Sequence, residues 1–311
     1  MSFAQDVKKE IANLKVEEPF LKAELYGILK LKSELVIRNK QIVCELKTNM
    51  LAIVRRISSI IKQIYKVNVE VLEKTRPNLD YKNIYVVIIN ESCKEILQDL
   101  KIIDEEYNYI EEINEELDVE SIIRGFFLGK GSINDPKSSR YHFEISCNTL
   151  SEATYLIKQF NEFGIYSKMS TRRGNYIVYV KKAEQIGDVL KVIGSTTCMF
   201  DFENERIKRD LNNVVNRIIN CDMANSDKTQ KTASKQLSQI EYIEKTVGFE
   251  SLSIRLMEAV TLRTKNPDAT LQELSDVSEE VIGRYISKSG LTHCFKDLEL
   301  YYLTLKAKET S

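Results

Sequence analysis

Residues 124–136 read RGFFLGKGSINDP. An apolar helix ends here at a glycine turn and passes directly into a strand. Helices that end this way often present a carboxylate at the turn, where it can hold a metal ion. The residue in that place is Lys130. A protonated ammonium is all donor and offers a metal no lone pair. The stretch therefore predicts the shape of a metal-holding helix without its ligand.

A second copy of the pattern lies upstream. A slide of 98 residues lays Leu25, Gly27, Leu29, Lys32 and Leu35 onto Ile123, Gly125, Phe127, Lys130 and Ile133. The surrounding segments repeat as well. In the first half KAELYGILKLKSEL (22–35) is a helix with Leu25, Ile28 and Leu29 on one face. ELVIRNKQIVCELKT (34–48) alternates as a hairpin broken at Asn39-Lys40, and NMLAIVRRISSIIKQIY (49–65) returns to helical spacing. A hairpin with a long loop (67–89) and a helix, SCKEILQDLKII (92–103), close the half. The second half has the same order: a helix over 119–131, a hairpin over 131–147 and a helix over 150–163. A hairpin tipped by Arg172, Arg173, Gly174 and Asn175 follows, then a helix over 183–193. Gly27 and Gly125, at matching positions, suit a close crossing of the two first helices. Packed through those helices, the halves would form one pseudo-symmetric body with a continuous antiparallel sheet.

The rest of the chain reads as helical. Residues 206–235 carry seven Lys or Arg against three Asp, with Arg206, Lys208, Arg209 and Arg217 placed to brush a phosphate backbone. Asn216, Asn220, Asp222 and Asn225 are capping and turn residues, which suggests a joint between domains. LSIRLMEAVTLRTKNP (252–267) is a helix stopped by proline, and residues 268–306 fit a helix-turn-helix. Asp268 or Thr270 can cap its first helix, with Leu271, Leu274 and Val277 inward. Ser287 or Ser289 can cap the second, whose buried stripe is Leu291, Cys294 or Phe295, and Leu298. That leaves Lys288, Ser289, Thr292, His293 and Lys296 facing outward, where such residue types suit base edges and phosphates.

Bulk composition narrows the classes. The chain has 311 residues, 43% hydrophobic and 29% charged, which fits a soluble protein of two or more domains. No apolar run reaches the roughly 18 residues of a membrane span, and the charged, amphipathic start lacks a signal-peptide core. A cytoplasmic protein is expected. Six cysteines without a CxxC pair and two distant histidines, His142 and His293, exclude a zinc-finger spacing and argue for buried free thiols. Net charge is −1, but one block, DEEYNYIEEINEELD (104–118), holds eight acidic residues and no basic one. Such a block can mask a basic surface elsewhere.

These residues carry a family resemblance. IIRGFFLGKGSI (122–133) resembles the signature helix of LAGLIDADG homing endonucleases, and LYGILKLKSEL (25–35) is a weaker first copy. Over nearly its whole length the chain resembles the WhiA family of bacterial regulators linked to sporulation and cell division. RGFFLGKGSINDP, NRIINCDMANSDKT (216–229) and ISKSGLTHCFKDL (286–298) carry that likeness, the middle segment most specifically. The resemblance implies a LAGLIDADG-type body joined to a helix-turn-helix similar to region 4 of sigma factors. It also implies a role in transcription tied to division and chromosome segregation.

Active homing nucleases hold divalent metal between one acidic residue from each signature helix, and Lys32 and Lys130 stand at those two positions here. Glu34 lies two residues past the site, and the repeat gives it only Ser132 as a counterpart. The expected protein is non-enzymatic, with no catalytic residue, metal or cofactor. Its fold class is α+β: a duplicated αββαββα LAGLIDADG-like domain over 1–205, with halves at about 1–103 and 118–205. A basic helical linker over 206–235 and an all-α helix-turn-helix domain over 236–311 complete it. The expected partner is double-stranded DNA, with RNA polymerase or another regulator as a protein partner, for a monomeric, nucleoid-associated chain. Arg38, Lys40, Lys47, Lys137, Arg140, Arg172, Arg173, Lys181 and Lys182 on the hairpins would make the sheet a nucleic-acid surface, or else a protein or ligand surface. Two rival readings are a divergent metal-dependent endonuclease and an adaptor whose N-terminal domain binds a division or transcription partner.

Overall fold

The computed structural model describes residues 2–38, 41–75 and 83–309. The hairpin break at Asn39-Lys40 and the long loop over 76–82 lie outside the described residues. The chain divides into two units between Asp210 and Leu211.

The first unit opens with α1 (Phe3–Ala12), which stands outside the repeat and buries Val7 and Ile11. The first half follows as α2 (Glu18–Lys32), β1 (Glu34–Arg38), β2 (Gln41–Thr48), α3 (Leu51–Tyr65), β3 (Glu70–Thr75), β4 (Asn83–Ile89) and α4 (Cys93–Asp99). The second half is α5 (Val119–Lys130), β5 (Gly131–Ile133), β6 (Phe143–Cys147), α6 (Leu150–Glu162), β7 (Lys168–Arg172), β8 (Asn175–Val180) and α7 (Ala183–Val192). The αββαββα order thus occurs twice. Each half makes a four-stranded antiparallel sheet, in the orders β1-β2-β4-β3 and β5-β6-β8-β7.

A continuous sheet does not form. No ladder joins β1 to β5 among the described residues; α2 packed along α5 joins the halves instead. β5 is only three residues long, too short to extend a ladder across the helix crossing. At that crossing a Cβ on Gly125 would overlap the Glu24 carbonyl oxygen and lie 2.9 Å from Gly27 Cα. A Cβ on Gly27 would lie 2.5 Å from the Ile122 carbonyl oxygen. Only glycine permits this approach.

Around the crossing runs one large apolar core, with Leu25, Ile28, Leu29, Ile122, Phe126 and Phe127 all buried. Within it Glu24 is fully buried and takes a bidentate contact from Arg56 at 2.7 and 2.8 Å, with Arg124 at 3.6 Å. Lys30, also buried, anchors the acidic connector: its Nζ donates to the carbonyls of Ile110 and Glu112 and sits 4.2 Å over the Tyr109 ring. The opposite face of the first sheet carries a small separate apolar cluster of Val43, Val86 and Ile88, flanked by Val36 and Leu72.

α8 (Thr196–Val247) is a single helix of 52 residues, and the division between units falls inside it. Residues 216–229 lie inside this helix, so Asn216, Asn220, Asp222 and Asn225 hold helical rather than capping or turn positions. The segment from Thr196 to Val247 contains neither glycine nor proline, so nothing stops the helix. Its first turn is capped from α1: Glu10 accepts from Ser195 Oγ at 2.6 Å, Thr197 N at 2.6 Å and Cys198 N at 3.0 Å. Partial burial pushes the Glu10 carboxyl up, but these hydrogen bonds outweigh it and hold it down at about 2.

A 3-10 turn (Phe249–Ser251), α9 (Ile254–Lys265), α10 (Leu271–Asp276), α11 (Ser278–Ile282) and α12 (Lys288–Glu309) complete the second unit. Thr270, not Asp268, caps α10, in a reciprocal box with Glu273. At the start of α12, Ser287 Oγ accepts from Gly290 N at 3.2 Å. The core is the expected stripe of Leu291, Cys294 and Phe295 against Leu274, Ala259 and Leu262, with Leu298 in an adjoining cluster. α11 is an addition: the turn between the two helices of the motif holds a short helix that ends at Gly283, φ 77°. No described helix is long and apolar enough to cross a membrane.

Candidate nucleic-acid interface

The adjacent C-terminal ends of α2 and α5 are closed by lysines. Lys32 Nζ donates to the Gly129 carbonyl at 2.9 Å, satisfying an orphan acceptor in the last turn of α5. Lys130 Nζ donates to Asn148 Oδ1, and Asn148 in turn donates to the Leu31 carbonyl at 3.0 Å. Burial pushes both lysines below the ordinary ammonium range, and the charge of Lys130 lowers Lys32 further. Lys8 of α1 joins them, its Nζ 5.4 Å over the Phe127 ring, lowered to about 7 by burial and then by Lys32. A divalent cation here would meet repulsion and no carboxylate pair. Among the described residues no group of three or more His, Cys, Asp or Glu side chains is placed to hold a metal. The sequence has kept the shape of the metal-holding helix and filled its end with cations.

Much of the predicted basic surface on the hairpins is paired internally. Arg38 holds the largely buried Glu45 at 2.5 Å, Lys47 holds Glu34 at 2.6 Å, and Arg172 holds Glu144 at 2.8 Å. Lys40 lies outside the described residues. Arg173 is exposed on the β7–β8 turn, with φ 52° followed by Gly174 at φ 80°, the pair of positive angles a tight two-residue hairpin needs. Among the described hairpin cations that the sequence singles out, those without an ion pair thus lie on the second half, while Arg38, Glu45, Lys47 and Glu34 form two ion pairs on the outer face of the first sheet.

The arginines at the start of α8 are also engaged. Arg206 pairs with Glu203 at 2.6 Å and lies within 4.0 Å of Glu184 and Asp210. Arg209 donates to the carbonyls of Ser138 and Ser139 at 2.8 and 2.7 Å and stacks 5.0 Å over Tyr141. Arg217 is exposed.

The second unit brings the remaining candidates together. Lys288, Ser289, His293 and Lys296 are exposed and Thr292 half-buried on the first three turns of α12, opposite Leu291, Cys294, Phe295 and Leu298. Lys288, Thr292 and Lys296 recur every fourth residue along one strip, and Thr292 Oγ1 donates back to the Lys288 carbonyl at 2.8 Å. Among the described residues neither lysine has an ion-pair partner. The face combines point charges for phosphates with hydroxyl and imidazole groups of a size to meet base edges.

Three family descriptions divide the chain. The WhiA N-terminal LAGLIDADG-like domain matches residues 21–103, the WhiA LAGLIDADG-like domain residues 119–212, and the WhiA C-terminal HTH domain residues 215–302. The chain belongs to the WhiA family. Relatives named "Probable cell division protein WhiA" include one from Latilactobacillus sakei, 39% identical over 303 residues, covering 96% of each chain. Another, from Bacillus cytotoxicus, is 38% identical and covers 100% of this chain and 99% of its own. The crystal structure of full-length DUF199/WhiA from Thermatoga maritima matches 98% of this chain and 99% of that one, with TM-score 0.59 at 21% identity, a likeness of fold.

Asn225, Lys228 and Lys231, within the segment expected as a basic helical linker, lie alongside the starts of α10 and α12. The signal was present in the lysines of 228–235, spaced three and four apart as on one side of a helix.

Proposed function

We propose that this WhiA-family chain is a non-enzymatic DNA-binding regulator of cell division, chromosome segregation or sporulation, reading double-stranded DNA with α12. The observation that carries the reading is the separation along α12 of a buried apolar side from Lys288, Ser289, Thr292, His293 and Lys296. The family's HTH description over residues 215–302 supports it. The reading places the protein as a monomer in the cytoplasm, on the nucleoid, with RNA polymerase or another regulator as protein partner. The lysines at the ends of α2 and α5 support the absence of metal-dependent cleavage.

Genome-wide mapping of bound sites tests it. The full chain should occupy discrete sites, and a Thr292→Val chain should shift the preferred sequence, with discrimination changed by about 1–3 kcal/mol for each base that the hydroxyl reads. An unchanged preference for Thr292→Val and Ser289→Ala alike would remove α12 as the reader. Nicking of supercoiled plasmid in Mg²⁺ or Mn²⁺ by pure protein would instead establish a nuclease. A second reading gives the first unit a protein partner, favoured by Ile37 and Leu35, apolar side chains 75% and 41% exposed on the edge strand β1. Capture of a division or transcription protein, abolished by Ile37→Lys, would support it.

A further inference from the structure

The second unit contains a groove that α12 alone does not account for. One wall is α8 from Asn225 to Gln239, and the other is the starts of α10 and α12; two adjoining cavities share Thr232 and Leu271. Lys228 and Lys288 line the first, and Lys231, Lys235 and Lys296 line the second. The only carboxylate in either lining is Glu299, held by Lys235 at 2.5 Å. Lys228, Lys288 and Lys296 are exposed and Lys231 lies beside them, none with an ion-pair partner among the described residues.

Beneath them is Arg263, the largest fully buried side chain of the unit, at 1% exposure. Its Nε donates to Gln236 Oε1 at 2.9 Å and its Nη1 to the Ala269 carbonyl at 2.5 Å. These acceptors are neutral, and no carboxylate of the described residues lies within ion-pair distance, Asp268 acting on the guanidinium only from further off. A buried cation in a poorly screened setting projects its field into the groove above it. The positive end of α12 opens at the same place.

We infer that this groove grips the phosphodiester backbone of double-stranded nucleic acid between α8 and α12, with Lys228 and Lys231 as phosphate contacts. The inference rests on the reading of α12 given above and extends it to a second helix. An elongated, open cleft with lysines on both walls fits a polyanionic chain better than a single small anion. No exposed aromatic ring in the linings offers a platform for a nucleotide base. The side-chain amide of Asn225 adds a neutral donor of the kind that fixes register on a duplex without reading its sequence, while the Thr229 and Thr232 hydroxyls donate back to the Asn225 and Lys228 carbonyls of α8.

The test uses the full-length chain, a duplex it selects from random sequence and an unselected duplex, with anisotropy titrations at several salt concentrations. Lys228→Ala/Lys231→Ala should lower the slope of log affinity against log salt by about 2, near 0.9 per phosphate contact. It should weaken both duplexes by the same factor without moving Tm. Lys288→Ala/Lys296→Ala should act likewise, while Lys245→Ala, on the same helix as the first pair but outside the groove and paired with Glu241, should change nothing. An unchanged slope for the α8 pair beside a reduced slope for the α12 pair overturns the groove and leaves α12 as the reader. Silence of the α12 pair, whatever the α8 pair does, overturns the reading of α12 and with it a groove shared by two helices.

Discussion

Gly125 has no room for a methyl group, because Glu24 O and Gly27 Cα already occupy the space around its missing Cβ. Gly125→Ala should therefore destabilise the first unit by on the order of 1–3 kcal/mol, read from denaturant midpoints at unchanged m. An unaltered midpoint would mean the helices part easily. Lys8 gives a pH prediction. Folded, it releases its proton at about 7; unfolded, it holds it to the ordinary 10.5. Between those values the unfolded chain binds more protons, so stability rises with pH across that window. Lys8→Met should flatten the rise between about pH 7 and 10.5, leaving the contributions of Lys30, lowered by burial to about 8, and of Lys32 and Lys130, which burial also lowers. An equally steep profile in the variant would sink the assignment. The glycine pair was legible in the sequence because the repeat aligns it. Lys8 was not, since its neighbours Phe127 and Lys32 are distant in the chain and only the fold sets its depth.

Among the elements, α8 separates what sequence patterns convey from what they conceal. Asn and Asp compete locally for backbone hydrogen bonds and so suggest turns, yet with no glycine or proline the helix runs through them. The caps of α10 and α12 were legible, because Thr270 and Glu273 stand at the spacing of a capping box and Ser287 precedes an apolar run. The cap of α8 was not, since Glu10 comes from 185 residues away. Glu10→Gln should cost about 1–2 kcal/mol at pH 7, the size of a missing helix cap. The folded pKa of Glu10 lies below its ordinary 4.5, so its contribution is full above 4.5 and disappears as pH falls toward about 2. The wild-type and variant stabilities should converge across that interval in urea titrations; a gap that persists at about pH 2 would assign the difference to packing.

At the scale of the whole molecule, the order of elements in both halves could be read from alternation and helical spacing. The separation into two sheets could not, because pairing between β1 and β5 depends on how closely α2 and α5 cross. The free cysteines of the described chain are divided just as unevenly between surface and interior. Cys221 on α8 is exposed; Cys44, Cys93, Cys147 and Cys198 of the first unit and Cys294 of the second are buried. Burial pushes the Cys147 and Cys198 thiols up to about 12, far from the thiolate that reacts. Native protein should thus take up one maleimide per chain, at Cys221, with Cys221→Ser taking up none. As denaturant rises, mass spectrometry should show four further adducts arriving together when the first unit opens and one when the second does. The chain carries its own clock for the order in which its parts come undone.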